Sequence, residues 1–238
     1  MLVAIPSKGR PGLVKSQAVI PSARVYVPET EAEAYERLGT KNVVPVPASV
    51  RGITATRNYI LDTADDPRVV MIDDDVKDHG WNRAYAHNWR KHKLTETQWL
   101  QEWAKLFDVT ADGGFRIWGV ATTGEGRAVY PYRPFIWHTY VTASCMGMFA
   151  DAGLRFDELF PVKEDYELCL RCLKEDGGVV GARYLFWENA HWTDDGGCKD
   201  YRTQAMEEDA IRRLMRMYPG MIRRVTRGGC EYSIQLDF

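Results

Sequence analysis

No stretch of this 238-residue chain approaches the roughly eighteen uninterrupted apolar residues that a membrane span requires. A membrane protein is therefore not expected. The amino terminus also lacks the pattern of a secretory leader, because Met1-Leu2-Val3-Ala4-Ile5 runs straight into Pro6-Ser7-Lys8-Gly9-Arg10, a strand giving out into a loop. Cysteine is scarce and odd in number. Cys145, Cys169, Cys172, Cys198 and Cys230 follow no framework spacing, which argues against a disulfide scaffold and suits a reducing compartment. These absences lead to the expectation of a soluble, cytoplasmic protein. There is no Walker pattern, no Gly-x-Gly-x-x-Gly, no internal repeat and no low-complexity tract. The formal net charge is only −2, so neither sign dominates the chain as a whole.

What is present is an alternation of short apolar runs with helical ones, the mark of βαβ units around a largely parallel sheet. Strands are expected at Leu2 to Pro6, Arg24 to Val27, Asn42 to Val46 and Val69 to Ile72. An acidic, Glu- and Ala-rich helix from Glu29 to Leu38 is stopped by Gly39, and another runs from about Thr54 to Ala64. Thr95-Glu96-Thr97-Gln98 reads as a capping box opening an amphipathic helix through Phe107. Further strands are expected at Phe115 to Val120, Phe135 to Val141 and Cys145 to Ala150. Helices are expected at Lys163 to Glu175 and at roughly Tyr201 to Tyr218. The length fits one α/β domain, with a Rossmann-like mixed central sheet flanked by helices. Its first half, about 1–110, has a nucleotide-binding style of alternation, and its second, about 111–238, is mixed in character.

The densest chemistry is Asp73-Asp74-Asp75, three carboxylates at the end of an apolar strand. Ligands of open α/β sheets collect outside the carboxyl ends of the strands. Clustered like charges there call for a cation, and a hard oxygen-seeking ion such as Mg²⁺ or Mn²⁺ carrying a substrate's phosphates answers that need. The plain alternative is an acidic loop facing water. Asp75 is the first choice as direct ligand; His191 could add a neutral nitrogen, which Mn²⁺ accepts more readily than Mg²⁺, although a lone histidine beside Trp192 is by spacing alone more often a packing residue. Glu164 and Asp165, in the first turn of a helix, are candidates for a general base, although the macrodipole alone favours acids there. In Pro6-Ser7-Lys8-Gly9-Arg10-Pro11 a Gly-containing turn offers backbone N–H groups to phosphate oxygens, and Lys8 or Arg10 adds charge. Cys169 and Cys172 match a metal or redox pair in spacing, with His191 or Cys198 to complete it. Inside a helix they read more simply as small buried hydrophobes.

Four of these features fall in a telling order. Gly52-Ile53-Thr54-Ala55-Thr56-Arg57-Asn58 followed by a strand ending in Asp73-Asp74-Asp75 resembles the Gly-x-x-x-x-Arg-Asn helix and D-x-D motif of GT-A glycosyltransferases. Ser144-Cys145-Met146-Gly147-Met148 resembles the glycine loop of that fold, Lys163-Glu164-Asp165 its x-E-D motif, and His191 its C-terminal metal-binding histidine. The resemblance implies a GT-A fold and sugar transfer from a nucleoside diphosphate to an acceptor hydroxyl. For this chain it implies Asp73, Asp75 and His191 on a divalent cation and Asp165 as base of an inverting displacement. Pro6, Ser7, Lys8, Arg10, Arg57, Asp73, Asp74 and Gly147 would then surround the donor.

The combination Ile5-Pro6-Ser7-Lys8-Gly9-Arg10, Thr56-Arg57-Asn58-Tyr59-Ile60-Leu61 and Met71-Ile72-Asp73-Asp74-Asp75-Val76 is similar to the TET/JBP-associated glycosyltransferases of phages and some eukaryotes. That group implies a UDP-sugar donor, UDP-glucose first, and a hydroxymethylated pyrimidine of DNA, such as 5-hydroxymethylcytosine, as acceptor. It places the protein in a host's cytoplasm if a bacteriophage encodes it. Charge placement agrees with a DNA partner. Arg212, Arg213, Arg216, Arg223, Arg224 and Arg227 lie in a window free of Asp and Glu, and Lys77 to Lys93 mixes basic residues with Trp81, Tyr85 and Trp89. The same chemistry aimed at a polysaccharide, protein or small molecule, a nucleotidyl transferase, and a non-catalytic binding module are the other readings.

Overall fold

In the computed structural model, residues 1–85, 88–125, 133–190, 202–227 and 230–237 are described. The two apolar runs singled out first lie side by side at the centre of a ten-stranded sheet. These are β1 (Leu2–Pro6) and β4 (Arg68–Ile72), paired in parallel with Val3 opposite Val70. Their continuous hydrophobicity follows from burial on both faces. Leu2, Ala4, Val69 and Met71 face one core and Val3, Ile5, Val70 and Ile72 the other, the period of two that a pleated strand imposes.

From β1 the chain passes through the short helix α1 (Lys15–Val19) to β2 (Arg24–Pro28), then through α2 (Ala32–Arg37) to β3 (Val43–Val46), building outward in parallel. It then reverses. Helix α3 (Gly52–Asp62) carries it back across the sheet to β4 on the other side of β1. The loops after β1 and β4 consequently leave in opposite directions and open a crevice at a topological switch point, where open α/β sheets bind ligands.

Beyond β4 the sheet becomes mixed. β5 (Val76–Tyr85) and β6 (Asn88–His92) form an antiparallel hairpin at the far edge. Helix α4 (Glu96–Asp112) follows, its Thr95 Oγ1 and Gln98 side chain making the reciprocal capping box expected from the sequence. β7 (Ile117–Ala121), β8 (Phe135–Ile136), β9 (Cys145–Phe149), helix α5 (Glu164–Glu175) and β10 (Val180–Asn189) complete the sheet, whose main order is β3-β2-β1-β4-β9-β7-β10-β5-β6. Helix α6 (Gln204–Met217) and the hairpin of β11 (Ile222–Arg227) and β12 (Cys230–Leu236) follow. Helices α3, α5 and α6 bury Ile60, Leu168 and Ile211 against one face, while α4 buries Trp99, Trp103 and Phe107 against the other. No helix of the described residues is long and apolar enough to cross a membrane.

Two expectations need correction. The strand expected over Phe135 to Val141 ends at Ile136. The rest of that segment crosses over the sheet, and Val141 Cγ1 fills the space a side chain at Gly119 would need. The arginine window, divided between α6 (Arg212, Arg213 and Arg216) and β11 (Arg223, Arg224 and Arg227), is not bare charge. Arg213 meets Asp209 at 2.6 Å, Arg212 meets the same carboxylate at 3.7 Å, Arg223 meets Asp237 at 3.4 Å, and Arg224 pairs with Glu208. Those carboxylates flank the window, so composition within it overstates the field. Cys169 and Cys172 are the buried free thiols that their place inside a helix implied, and Cys169 Sγ accepts from Val141 N at 3.4 Å. Burial raises both above the usual thiol range, which disfavours the thiolate a metal would need.

Gly147, expected beside the donor, has a packing role in the sheet. It sits within β9 opposite Val70 and Trp118, and a Cβ there would lie 2.0 Å from Trp118 Cε2. Indole packing thus requires the glycine. Gly147→Ala is expected to lower the unfolding free energy by roughly 1–3 kcal/mol, read as a fall in the urea midpoint. An unchanged midpoint would contradict this account.

Candidate active site

The crevice between β1 and β4 is lined by the two loops that carry the charged motifs. On the β1 side, Ser7 Oγ donates to Asp74 Oδ2 at 2.5 Å and Arg10 Nη1 reaches Asp74 Oδ1 at 2.5 Å. Tyr35 of α2, fully buried, joins them. Its hydroxyl lies 2.9 Å from Ser7 Oγ and accepts from Arg10 N at 3.0 Å. Gly9, at φ +69°, takes the left-handed turn that lets its N–H reach Glu31 Oε2 at 2.7 Å. Pro6 ends β1 and is buried, whereas Lys8 is exposed at the tip of the loop. Both oxygens of Asp74 are thus committed to fixing this loop. Burial raises its carboxyl above the ordinary range, while Ser7 and Arg10 draw it back.

Asp73 faces the other way. Its Oδ1 receives Arg57 Nη2 at 3.1 Å and its Oδ2 receives Asn189 Nδ2 at 2.9 Å. Arg57 comes from α3 and, contrary to the default for a helical arginine, its side chain is only 5% exposed. Its second nitrogen, Nη1, meets Glu164 Oε1 at 2.5 Å. One guanidinium therefore ties the acidic loop to the first turn of α5. The low-dielectric surroundings push Asp73 above the usual carboxylate range although 35% of its side chain stays open, Arg57 opposes the shift, and Asp75, Asp74 and Asp165 add to it. The backbone holds the loop as well, with Asp73 N donating to Ser144 O at 3.2 Å and Ser16 N to Asp74 O at 3.3 Å.

The two candidate bases divide sharply. Lys163 takes a left-handed conformation at φ +60° just before α5 and bonds Glu207 through Nζ at 2.9 Å. That turn starts the helix so that Glu164 is buried on Arg57 while Asp165 remains half-buried, its Oδ2 accepting from Ala143 N at 3.2 Å. Burial raises the Glu164 carboxyl and Arg57 lowers it. Glu164 is committed to an ion pair, so of the two only Asp165 has a carboxylate without a basic partner among the described residues.

Asp75 completes the cluster. Its Oδ2 lies 3.6 Å from Arg10 Nη1, while its Oδ1 is buried and accepts no hydrogen bond among the described residues. An orphaned carboxylate oxygen beside a second carboxylate is a donor set that fits a hard divalent cation. Among the described residues no group of three His, Cys, Asp or Glu side chains is arranged to hold a metal. His191, the third expected ligand, lies outside the described residues. The described chain stops one residue earlier, at Ala190, whose N–H donates to Asp75 O at 2.9 Å.

Tyr35, Ser16 and Asn189 were not evident from sequence. Tyr35 carries a detectable signal in retrospect, because a tyrosine on the inner face of a helix must find a partner for its hydroxyl. Asn189 belongs to no recognisable pattern.

The sequence profile of the family described as TET-Associated Glycosyltransferase matches residues 2–197. No curated protein matches the chain in sequence. Among solved structures, residues 1–349 of S. aureus TarS superpose with a TM-score of 0.50 at 12% identity over 92% of this chain, which spans 64% of that one. Glucosyl-3-phosphoglycerate synthase from Mycobacterium tuberculosis, in complex with Mn²⁺, UDP-glucose and glycerol 3-phosphate, gives 0.53 at 14% identity over 98% of this chain and 85% of its own. The same enzyme with phosphoglyceric acid gives 0.55 at 14% identity, with the same coverage. At such identities the likeness establishes the fold, which is that of the GT-A glycosyltransferases.

Arg57→Leu leaves Asp73 and Glu164 without their shared cation and is expected to cost roughly 3–5 kcal/mol of stability. Arg24→Leu removes a comparably short but exposed pair with Asp65, 2.6 Å apart, and should leave the urea midpoint nearly unchanged. Equal effects of the two substitutions would refute the buried bridge.

Proposed function

The chain belongs to the TET-Associated Glycosyltransferase family, and from that premise we propose a specific reaction. The protein transfers a hexose, glucose first, from a UDP-sugar to the hydroxyl of a hydroxymethylated pyrimidine in DNA, assisted by Mn²⁺ or Mg²⁺. Nucleotide-sugar glycosyl transfer follows from family and fold. The observation that carries the mechanism is the division of labour among the acids, with Asp74 and Glu164 bound closely to arginines while, among the described residues, Asp75 Oδ1 has no hydrogen-bond partner and Asp165 no basic one.

In this reading residues about 1–110 hold the donor and about 111–238 receive the acceptor within one domain. The loop Pro6 to Arg10, braced by Asp74 and Tyr35, presents Lys8 and Gly9 to the nucleotide. Asp75, Asp73 and His191 hold the cation, which when bound neutralises charge on the departing diphosphate. Asp165 takes the proton of the acceptor hydroxyl. The oxygen so freed forms a bond to the anomeric carbon as the bond from that carbon to the diphosphate breaks and UDP leaves. A single displacement of this kind inverts the anomeric centre. Arg57, rather than touching the donor, keeps the acidic loop and α5 in register.

Support for DNA as acceptor comes chiefly from the family's description. The ion pairs within the arginine window weaken the electrostatic case, though Arg216 is exposed and forms no ion pair among the described residues.

The test is incubation with Mn²⁺, a panel of nucleotide sugars and either hydroxymethylated or unmodified DNA, followed by mass analysis of the nucleosides. A hexose on the hydroxymethylated base with UDP released is expected. Transfer only to oligosaccharide or protein acceptors would overturn the DNA assignment, and release of UMP would overturn the reaction class. Asp165→Asn should lower kcat by about 10²–10⁴-fold with little change in KM for the donor. Asp75→Ala should abolish turnover while leaving the protein folded.

A further inference from the structure

The end of β10 holds an unexplained group next to the acidic loop. Asn189 is 5% exposed and opposes Val76 of β5. The β5–β10 register shifts between Glu188 and Asn189, the kind of irregularity that re-aims a side chain at a strand end. Its Nδ2 donates to Asp73 Oδ2 at 2.9 Å, whereas its Oδ1 is buried and has no hydrogen-bond partner among the described residues. Turning the amide round would set Oδ1 against the Asp73 carboxylate, which in its ionised form only accepts. A buried carbonyl oxygen without a donor calls for an explanation. Its neighbour across the strands, Asp75, is tied to this segment through Ala190 N at 2.9 Å and carries the other orphaned oxygen, Oδ1.

Resting on the cation reading given above, we propose that Asn189 serves the metal directly. Its Oδ1 joins Asp75 Oδ1 as a further oxygen ligand for the divalent ion, and its Nδ2 holds Asp73 in position. A neutral amide suits this place. It adds an oxygen ligand without adding a fourth negative charge to a loop that already has three, and it supplies a donor to Asp73 that a carboxylate lacks.

The experiment counts bound Mn²⁺ on the full chain by the electron paramagnetic resonance of the free ion, with and without UDP. It uses the wild type, Asn189→Ala and Asn189→Asp, with circular dichroism as the check on folding. Asn189→Ala is expected to weaken Mn²⁺ about 10–100-fold. Asn189→Asp returns an oxygen to the same place and should recover most of that loss. Without metal its melting temperature should fall, because a new carboxylate faces Asp73, and Mn²⁺ should raise it by more than in the wild type. Undiminished affinity in Asn189→Ala would overturn the proposal. Equal loss in both variants would overturn it too, since it would leave Asn189 only its bond to Asp73. If Asn189→Ala does not fold, Asn189→Ser takes its place under the same criteria. A wild type that binds no Mn²⁺ even with UDP would defeat the underlying cation reading, and would do so before any variant is compared.

Discussion

Three consecutive carboxylates at a strand end are the constraint around which this fold is arranged. At an effective dielectric near 20, two unit charges 4 Å apart repel by about 4 kcal/mol. The chain responds by sending the three side chains to different partners. Asp74 goes to Ser7 and Arg10, Asp73 to Arg57 and Asn189, and Asp75 keeps one oxygen within reach of Arg10 and the other without a hydrogen-bond partner among the described residues. The compensating cations arrive from the β1 loop and from α3, which the reversal of strand order places on either side of the acidic loop. The sheet's topology and its electrostatics are in this sense one problem with one solution.

The bridge through Arg57 has a second effect. It joins the loop proposed to hold the donor to the helix turn that carries Asp165, so the two sets of groups are fixed relative to one another before any substrate arrives. Fixed geometry of this kind lowers the reorganisation a reaction demands. The left-handed backbone at Lys163 contributes to it. A non-glycine residue in that conformation is costly and persists where surrounding contacts hold it. Here those contacts are Lys163 Nζ with Glu207 and its approach to the Tyr166 ring, 5.1 Å from Nζ to the centroid.

Much of this was legible in the linear chain, for reasons that can be stated residue by residue. β1 and β4 declared themselves because strands buried on both faces must be apolar throughout, and α4 because its capping box is a local signal. β10 escaped notice. Its run from Val180 to Asn189 includes Gly181 and Arg183, and Gly181 is there because a side chain would come within 2.6 Å of Thr139 Cγ2. The resemblance brought Asp73, Asp75 and Asp165 to one motif set. No local pattern, however, could distinguish Glu164 from Asp165, because the partner that removes Glu164 from contention lies 107 residues away. The same holds for Arg57, whose helix reads as amphipathic whichever way its guanidinium points. The arginine window misled because the carboxylates that answer it lie just outside it in sequence.

The strand order also bears on how the chain is made. Strands β5 and β6 form the antiparallel pair at the sheet's outer edge, yet the strand that joins them to the rest is β10, at residues 180–189. During synthesis the hairpin therefore waits, with one flank of backbone amides and carbonyls unsatisfied, until about a hundred further residues have emerged. That is the interval in which an open strand edge is exposed to pairing with another nascent chain. The closing of β10 onto β5 ends this exposure and delivers Asn189 to Asp73 in the same event.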